Sequence, residues 1–351
     1  MRCATGGTAL IPSIRYALPP PPAQERLPAP GPDRRPGRPT VLAAAASGPT
    51  LQEDPVTSFP LAAGGYTALV DTLGAALCAL EHDGRALVVA REPGTTTEDF
   101  RGVVCAPWPN RLADGRYRFG DRRLEVPVTE PERRTALHGL VFDREWEVVS
   151  SSSTDVVLAL RLGADPGYPF AVRVEVRYTL GEDGLRVGIR ARNEGEADAP
   201  FGCCSHPYVV AGAGDVDDWV LELDASSMLQ VSPDRLLPTG LEDTAGGAFD
   251  FRAGRPLRGA FVDNAFTGVV PHDGRCTVRL TAPDGHGALL GWDPRAAWVQ
   301  IHTGDHLVGA PRSGLAVEPM DCPPDAFNSG QDLVVLAPGT EHTLDWELRA
   351  F

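Results

Sequence analysis

Five short segments of the chain place proton-carrying or hydrogen-bonding side chains where neither strand alternation nor ordinary loop chemistry requires them. They are WPNRLADGRYRF around Arg111, LHGLVFDREW around His138, GCCSHPYVV around His206, FVDNAF around Asp263, and LAVEPMDCPPDAFNSG around Glu318. Histidine can give and take protons near neutrality, so His206 is either a capped structural ring or a proton carrier. Pro207 biases it toward extended backbone and suggests a strand end with the ring projecting at the rim. Glu318 follows an apolar run and precedes Pro319; a carboxylate at the end of a buried strand is costly unless arginine or amide groups bond it or it has a chemical task. Arg111, stiffened by Pro107 and Pro109, is either a surface arginine or a fork that clamps a hydroxyl-rich or anionic ligand. His138 precedes Gly139, which lets backbone or ligand approach closely. Asp263 and Asn264 read either as a tight turn or as hydroxyl recognition by the carboxylate. Together these groups could move protons on a small polar molecule and hold its hydroxyls.

The elements that must position them are strands. In FAVRVEVRYTLGEDGLRVGIRARN, Val172, Val174, Val176 and Tyr178 alternate with Arg173, Glu175 and Arg177. A Gly-Glu-Asp-Gly turn then leads into Leu185, Val187, Ile189 and Ala191, again alternating with polar residues. The same period recurs in DVVLALRL, DWVLELDA, AAWVQIHT and TLDWELRAF, where Leu344, Trp346 and Leu348 share a face. No segment carries a long stripe of helical period. The pattern predicts an all-β fold, one large antiparallel β-sandwich over residues 56–351, whose site is assembled from residues distant in sequence.

Residues 1–55 are different: eleven of the 33 prolines fall in the first 50 residues, with six arginines against two acids. This composition predicts a disordered tail or an over-long start.

Composition narrows the chemistry. The net charge of −15 argues against nucleic acid or an anionic membrane surface as partner. All 32 basic residues are arginine, so a Schiff-base lysine is excluded. Seven cysteines without C-x-x-C spacing indicate neither a zinc site nor a disulfide framework, and the adjacent Cys203 and Cys204 read as packing residues pointing to opposite faces. His302 and His306 lie four apart in HTGDH, but a glycine-containing loop without a third ligand is a poor metal pair. No metal and no cofactor is expected. No apolar run is long enough for a membrane span, and the chain reads as cytoplasmic.

Taken in order, the five segments resemble the signature of the aldose 1-epimerases, the galactose mutarotase family, over roughly residues 57–351. Gly139 is followed by Leu140 where much of the family has a second glycine. With the CPPDAFNSG ending, this is similar to the branch that includes sulfosugar mutarotases. The resemblance implies a galactose mutarotase-like β-sandwich that binds a monosaccharide across one sheet, acting as monomer or weak homodimer. By the same resemblance His206 is the general acid, Glu318 the general base, Arg111 and His138 sugar-holding groups, and Asp263 a hydroxyl-binding carboxylate. The implied reaction is exchange of α and β anomers, with acid and base on opposite sides of the C1–O5 edge. Arg111 would keep Glu318 ionised if the two approach within about 4–6 Å. A non-catalytic sugar-binding protein and a hexose-phosphate 1-epimerase are the alternatives on this fold.

Overall fold

The computed structural model describes residues 58–351 apart from residue 97. The expected disordered segment, residues 1–55, lies outside the described residues. Strand alternation translates directly into two layers. The predicted hairpin forms from Val172–Gly181 and Gly184–Asn193 in ten-residue antiparallel register, from Val172 opposite Asn193 to Gly181 opposite Gly184. All eight of its apolar alternating positions are buried. Burying each of the valine, leucine and isoleucine side chains among them contributes about 1.5–3 kcal/mol. Its other face points outward and carries charge pairs, across strands between Arg190 and Glu341 and along one strand between Arg173 and Glu175.

This hairpin is the centre of a nine-stranded antiparallel sheet. Its order is Glu147–Ser151, Asp155–Arg161, Val172–Gly181, Gly184–Asn193, Glu341–Ala350, Gly287–Trp292, Cys276–Thr281, Val220–Leu223 and Arg255–Pro256. Leu344, Trp346 and Leu348 share the inner face, as their spacing requires.

A second antiparallel sheet runs Pro238–Asp243, Ala225–Val231, Asp263–Val269, Trp298–His302, Leu315–Met320, Cys204–Ser205, Val104–Cys105, with Tyr208–Val209 also paired to Leu315–Met320. Its central strands are covered on both faces, which is why LAVEPM and WVQIH show little polar alternation. Phe266, Val299, Ile301, Leu315 and Val317 enter the same hydrophobic core as the first sheet, making a two-layer sandwich. The opposite face carries Ala265, Trp298, Met320, Cys204 and Cys105 in a separate cluster. A four-stranded sheet from Ser58–Ala63 to Arg85–Ala86 completes the main β structure. Helix is confined to Ala326–Ser329 and a 3₁₀ turn at Val216–Asp218 among the described residues, and no helix there is long and apolar enough to cross a membrane.

Asp263 opens a strand and does not sit in a tight turn. Glu318 likewise lies within a strand, fourth of the six residues Leu315–Met320, so it is enclosed on more sides than a strand end would be.

Candidate active site

Register in the second sheet assembles the site. Residues directly opposite across an antiparallel pair share a face. Gln300 stands opposite both Glu318 and Ala265, and His302 opposite both Asp263 and Ala316. Tyr208 also pairs with Ala316, and Cys204 with Met320. Period-2 geometry therefore puts Asp263, Gln300, His302, Glu318, Tyr208 and Cys204 on the face away from the shared core.

His206 follows the strand Cys204–Ser205, held by its own N–H to Val103 O at 3.0 Å and by Gly102 N–H to His206 O at 2.9 Å. His206 is 5% exposed, so it sits in the interior and does not project at a rim. His206 Nε2 lies 3.2 Å from Glu318 Oε1, and Glu318 is 1% exposed. The two groups thus face each other directly. Glu318 Oε2 accepts the Cys204 thiol at 3.7 Å. Cys204 accordingly belongs to the site, while Cys203 turns the other way and donates to Asp321 at 3.3 Å.

Burial acts on both members of the pair. It pushes His206 down to about 4, helped by neighbouring His302. It pushes Glu318 well above the usual carboxylate range, reinforced by the Asp263 charge; the Cys204 thiol and Arg111 pull the other way without overcoming it. Burial therefore disfavours the charged form of each member, favouring a carboxylic acid beside a neutral imidazole.

Arg111 pulls Glu318 down without offsetting its burial. Its guanidinium is engaged through Nε and Nη2 with Glu130, at 2.8 and 3.0 Å. Glu130 also accepts from Arg133 Nε at 2.9 Å and Thr135 Oγ1 at 2.6 Å. Burial would raise Glu130, but these donors outweigh it and hold it below its ordinary value. The fork is a rigid mount for Arg111 beside the site.

His138 is set by backbone. Strand Arg111–Ala113 pairs with Thr135–Leu137, and beyond that pair His138 N–H donates to Asn110 O at 2.9 Å while Asn110 N–H donates to His138 Nδ1 at 3.3 Å. The acceptor role of Nδ1 leaves the ring proton on Nε2. His138 itself has φ 61°, a left-handed conformation that the surroundings must enforce. Gly139, at φ 80°, lets the chain pass so close to Ala106 that a Cβ would lie 2.0 Å from the Ala106 carbonyl oxygen. Burial, then the charges of His206 and Arg111, keeps His138 well below the ordinary imidazole value and therefore neutral.

Aromatic rings wall the site: Phe100 lies 4.6 Å from His138 and 6.4 Å from His206, and Tyr208 lies 5.1 Å from His206, between ring centroids. His302 Nδ1 accepts Gly304 N–H at 2.7 Å, so this third imidazole also carries its proton on Nε2. Its ring centroid lies 5.9 Å from that of His306. Asp263 Oδ1 accepts Gln300 Nε2 at 2.7 Å. Two buried polar atoms here, His206 Nδ1 and Gln300 Oε1, have no hydrogen-bond partner among the described residues. Buried polar atoms are rarely left so unless water or a bound group completes them.

The sequence reading missed Gln300, Glu130, His302 as a site residue, and Cys204. Gln300 had left one signal, a polar side chain in the middle of an apolar strand.

Comparison with known proteins agrees with this architecture. The family model described as aldose 1-epimerase matches residues 58–349. The chain is 34% identical over 285 residues to the uncharacterized protein YihR of Escherichia coli K12, covering 81% of this chain and 90% of that protein. It is 29% identical over 273 residues to mouse galactose mutarotase, covering 70% and 77%. It is 26% identical over 258 residues to the aldose 1-epimerase of Haemophilus influenzae, covering 66% and 74%. Among solved structures, the GalM/aldose epimerase homologue of C. elegans superposes with a TM-score of 0.75 at 21% identity, over 84% of this chain and 99% of that one, a likeness of fold. With its double-layered β architecture and a family match spanning nearly all the described residues, the chain belongs to the aldose 1-epimerase family of isomerases.

Proposed function

We propose that the protein interconverts the α and β anomers of a free aldose, with His206 and Glu318 as a bifunctional acid–base pair and Arg111, His138 and Asp263 holding the sugar. The observation that carries this reading is the buried 3.2 Å contact between His206 Nε2 and Glu318 Oε1. Mutarotation requires a proton to leave the C1 hydroxyl and another to reach the ring oxygen. Those two oxygens share one carbon, so groups that serve both must lie close together, and this pair does.

A pair holding one proton suits the task. One member gives its proton to the ring oxygen while the other takes the proton from the C1 hydroxyl. The hemiacetal opens, C1 rotates, and closure on the other face runs the transfers backward. The pair ends each half-reaction with one proton, exchanged between its members, and the buried site gains no net charge. Burial favours the tautomer with the proton on Glu318; the assignment of His206 as acid and Glu318 as base describes the ion-pair tautomer, one proton crossing away. Each transfer contributes about 10²–10⁴-fold.

Around this pair, Asp263 is held by Gln300 Nε2, and the partnerless Gln300 Oε1 supports a role in accepting a substrate hydroxyl. His138 and His302 would donate from Nε2. The reading treats residues 56–351 as one catalytic domain, working in the cytoplasm as monomer or weak homodimer.

The test is anomer exchange followed by magnetization-transfer NMR across neutral, phosphorylated and sulfonated hexoses, with protein far below the sugar concentration. Exchange above the buffer rate on at least one sugar is expected. A protein that shifts populations only in proportion to its own amount is a binder, and that result overturns the proposal.

A further inference from the structure

Glu130 mounts the guanidinium of Arg111, but a separate contact mounts its backbone. Arg111–Ala113 belongs to a two-stranded sheet, with Thr135–Leu137 along one edge. Along the other edge a single residue takes the place of a neighbouring strand. Asp325 N–H donates to Arg111 O at 2.7 Å, and Asp325 Oδ1 accepts Ala113 N–H at 2.9 Å. In a strand the C=O of one residue and the N–H two residues on face the same edge, so one residue's N–H and carboxylate together complete that edge.

Asp325 makes this contact in place of a more usual one. It stands at the N-cap of Ala326–Ser329, where an aspartate ordinarily accepts a backbone N–H of the first turn, yet its side chain makes no such bond. Its φ is 61°, a left-handed conformation that its surroundings must enforce. Asn328 Nδ2 donates to the same Oδ1 at 2.8 Å and to Arg116 O at 3.0 Å, which fixes the direction of the carboxylate. Asp325 also lies seven positions after Glu318 on the segment that leaves Leu315–Met320, and Pro323 and Pro324 restrict that segment's backbone. One short, stiff stretch of chain thus runs from Glu318 to the backbone of Arg111.

We propose that Asp325 is a positioning residue of the sugar site, which acts through Arg111 by tying its strand to the segment that carries Glu318. The group that holds the sugar and the group that moves its protons are thereby kept at a fixed spacing. This inference rests on the reading of Arg111 as a sugar-holding group and Glu318 as a proton carrier.

The test follows anomer exchange by magnetization-transfer NMR on D-galactose, D-glucose, a hexose phosphate and a sulfonated hexose, with full-length protein. Asp325→Gly deletes the carboxylate while glycine adopts the left-handed backbone freely and keeps the N–H on Arg111 O. It is expected to raise KM on the best sugar at least about tenfold with kcat within about threefold of wild type, as lost sugar holding requires. Asp325→Asn keeps the Oδ1 acceptor and tolerates positive φ, so both constants should stay within about twofold of wild type. In an Arg111→Ala background Asp325→Gly should add less than about twofold to KM, because the residue it acts through is gone. An unchanged KM in Asp325→Gly, with or without a lower urea midpoint, overturns the proposal, and so does a rise in KM that persists in full on top of Arg111→Ala. Should Asp325→Gly fail to fold, Asn328→Ala on the exposed surface decides: a KM raised at least about threefold supports the positioning role, and a wild-type KM refutes it. If wild type exchanges none of the sugars, the mutarotase reading fails, and the same variants are compared by calorimetric dissociation constants. There a loss of at least about tenfold in Asp325→Gly supports the positioning role and equal binding refutes it, while a wild type that binds none of the sugars overturns both.

Discussion

Replacing Glu318 by glutamine would remove the proton that the proposed acid–base pair shares while changing its shape little. Glu318 is 1% exposed, with His206 on one oxygen and the Cys204 thiol on the other. A glutamine amide can donate to His206 Nε2 and still accept from Cys204, so the fold should survive. Both proton transfers run through one proton, so losing either member should cost nearly as much as losing both. Glu318→Gln is expected to lower kcat by about 10²–10⁴-fold, or about 2.7–5.5 kcal/mol of barrier, with KM within a few-fold of wild type. His206→Asn should do the same, and the double variant should fall no more than about threefold below the worse single one. Stability should move the opposite way. The folded-state pKa of Glu318 is raised, so its contribution to stability is fully present below the ordinary carboxylate pKa of about 4.3 and is lost as pH rises toward the folded value. Above about pH 4.3 wild type should therefore lose about 1.4 kcal/mol per pH unit relative to Glu318→Gln until the folded pKa is reached. NMR exchange kinetics and urea titrations at several pH values measure both effects. Wild-type-like turnover in Glu318→Gln, or losses that multiply in the double variant, would refute the shared-proton argument.

Four further outcomes follow from the geometry. Because burial holds His206 down to about 4, kcat/KM should stay level through the usual imidazole range near 6.5 and drop as pH falls through about 4, where a second proton removes the pair's acceptor; an acid limb near 6.5 in the pH–rate profile would contradict this. Glu130→Gln should free the Arg111 fork, raising KM and costing about 2 kcal/mol of stability, and an unchanged KM and urea midpoint would show that the mount is idle. Gly139→Ala combines a left-handed φ with a carbonyl oxygen 2.0 Å from the new methyl group, so it should cost more than about 3 kcal/mol and displace His138; a normal melting temperature would disprove the close approach. Asp263→Asn should chiefly raise KM and leave kcat nearly intact, which steady-state kinetics can check, with a large loss confined to kcat as the contrary result.

Local alternation was enough to define the strands. Val172 to Tyr178 and Leu185 to Ala191 could bury one face only as an antiparallel hairpin, and the family resemblance carried by five short segments added the sandwich around it. The same segments exposed the polar residues that strand patterning leaves over. Sequence alone could not show how those residues meet. The contact between His206 and Glu318 spans 112 positions and depends on Cys204–Ser205 lining up beside Leu315–Met320. Arg111 looked available to Glu318 because its partner, Glu130, sits in a loop whose path no periodicity predicts. Cys204 read as packing because a thiol in an apolar run gives no sign of what it faces. Strand period is a local property that tells which face a side chain takes. Which groups share that face, how deeply they are buried, and hence where their protons rest are set by long-range register, and that exists only once the sheets have formed.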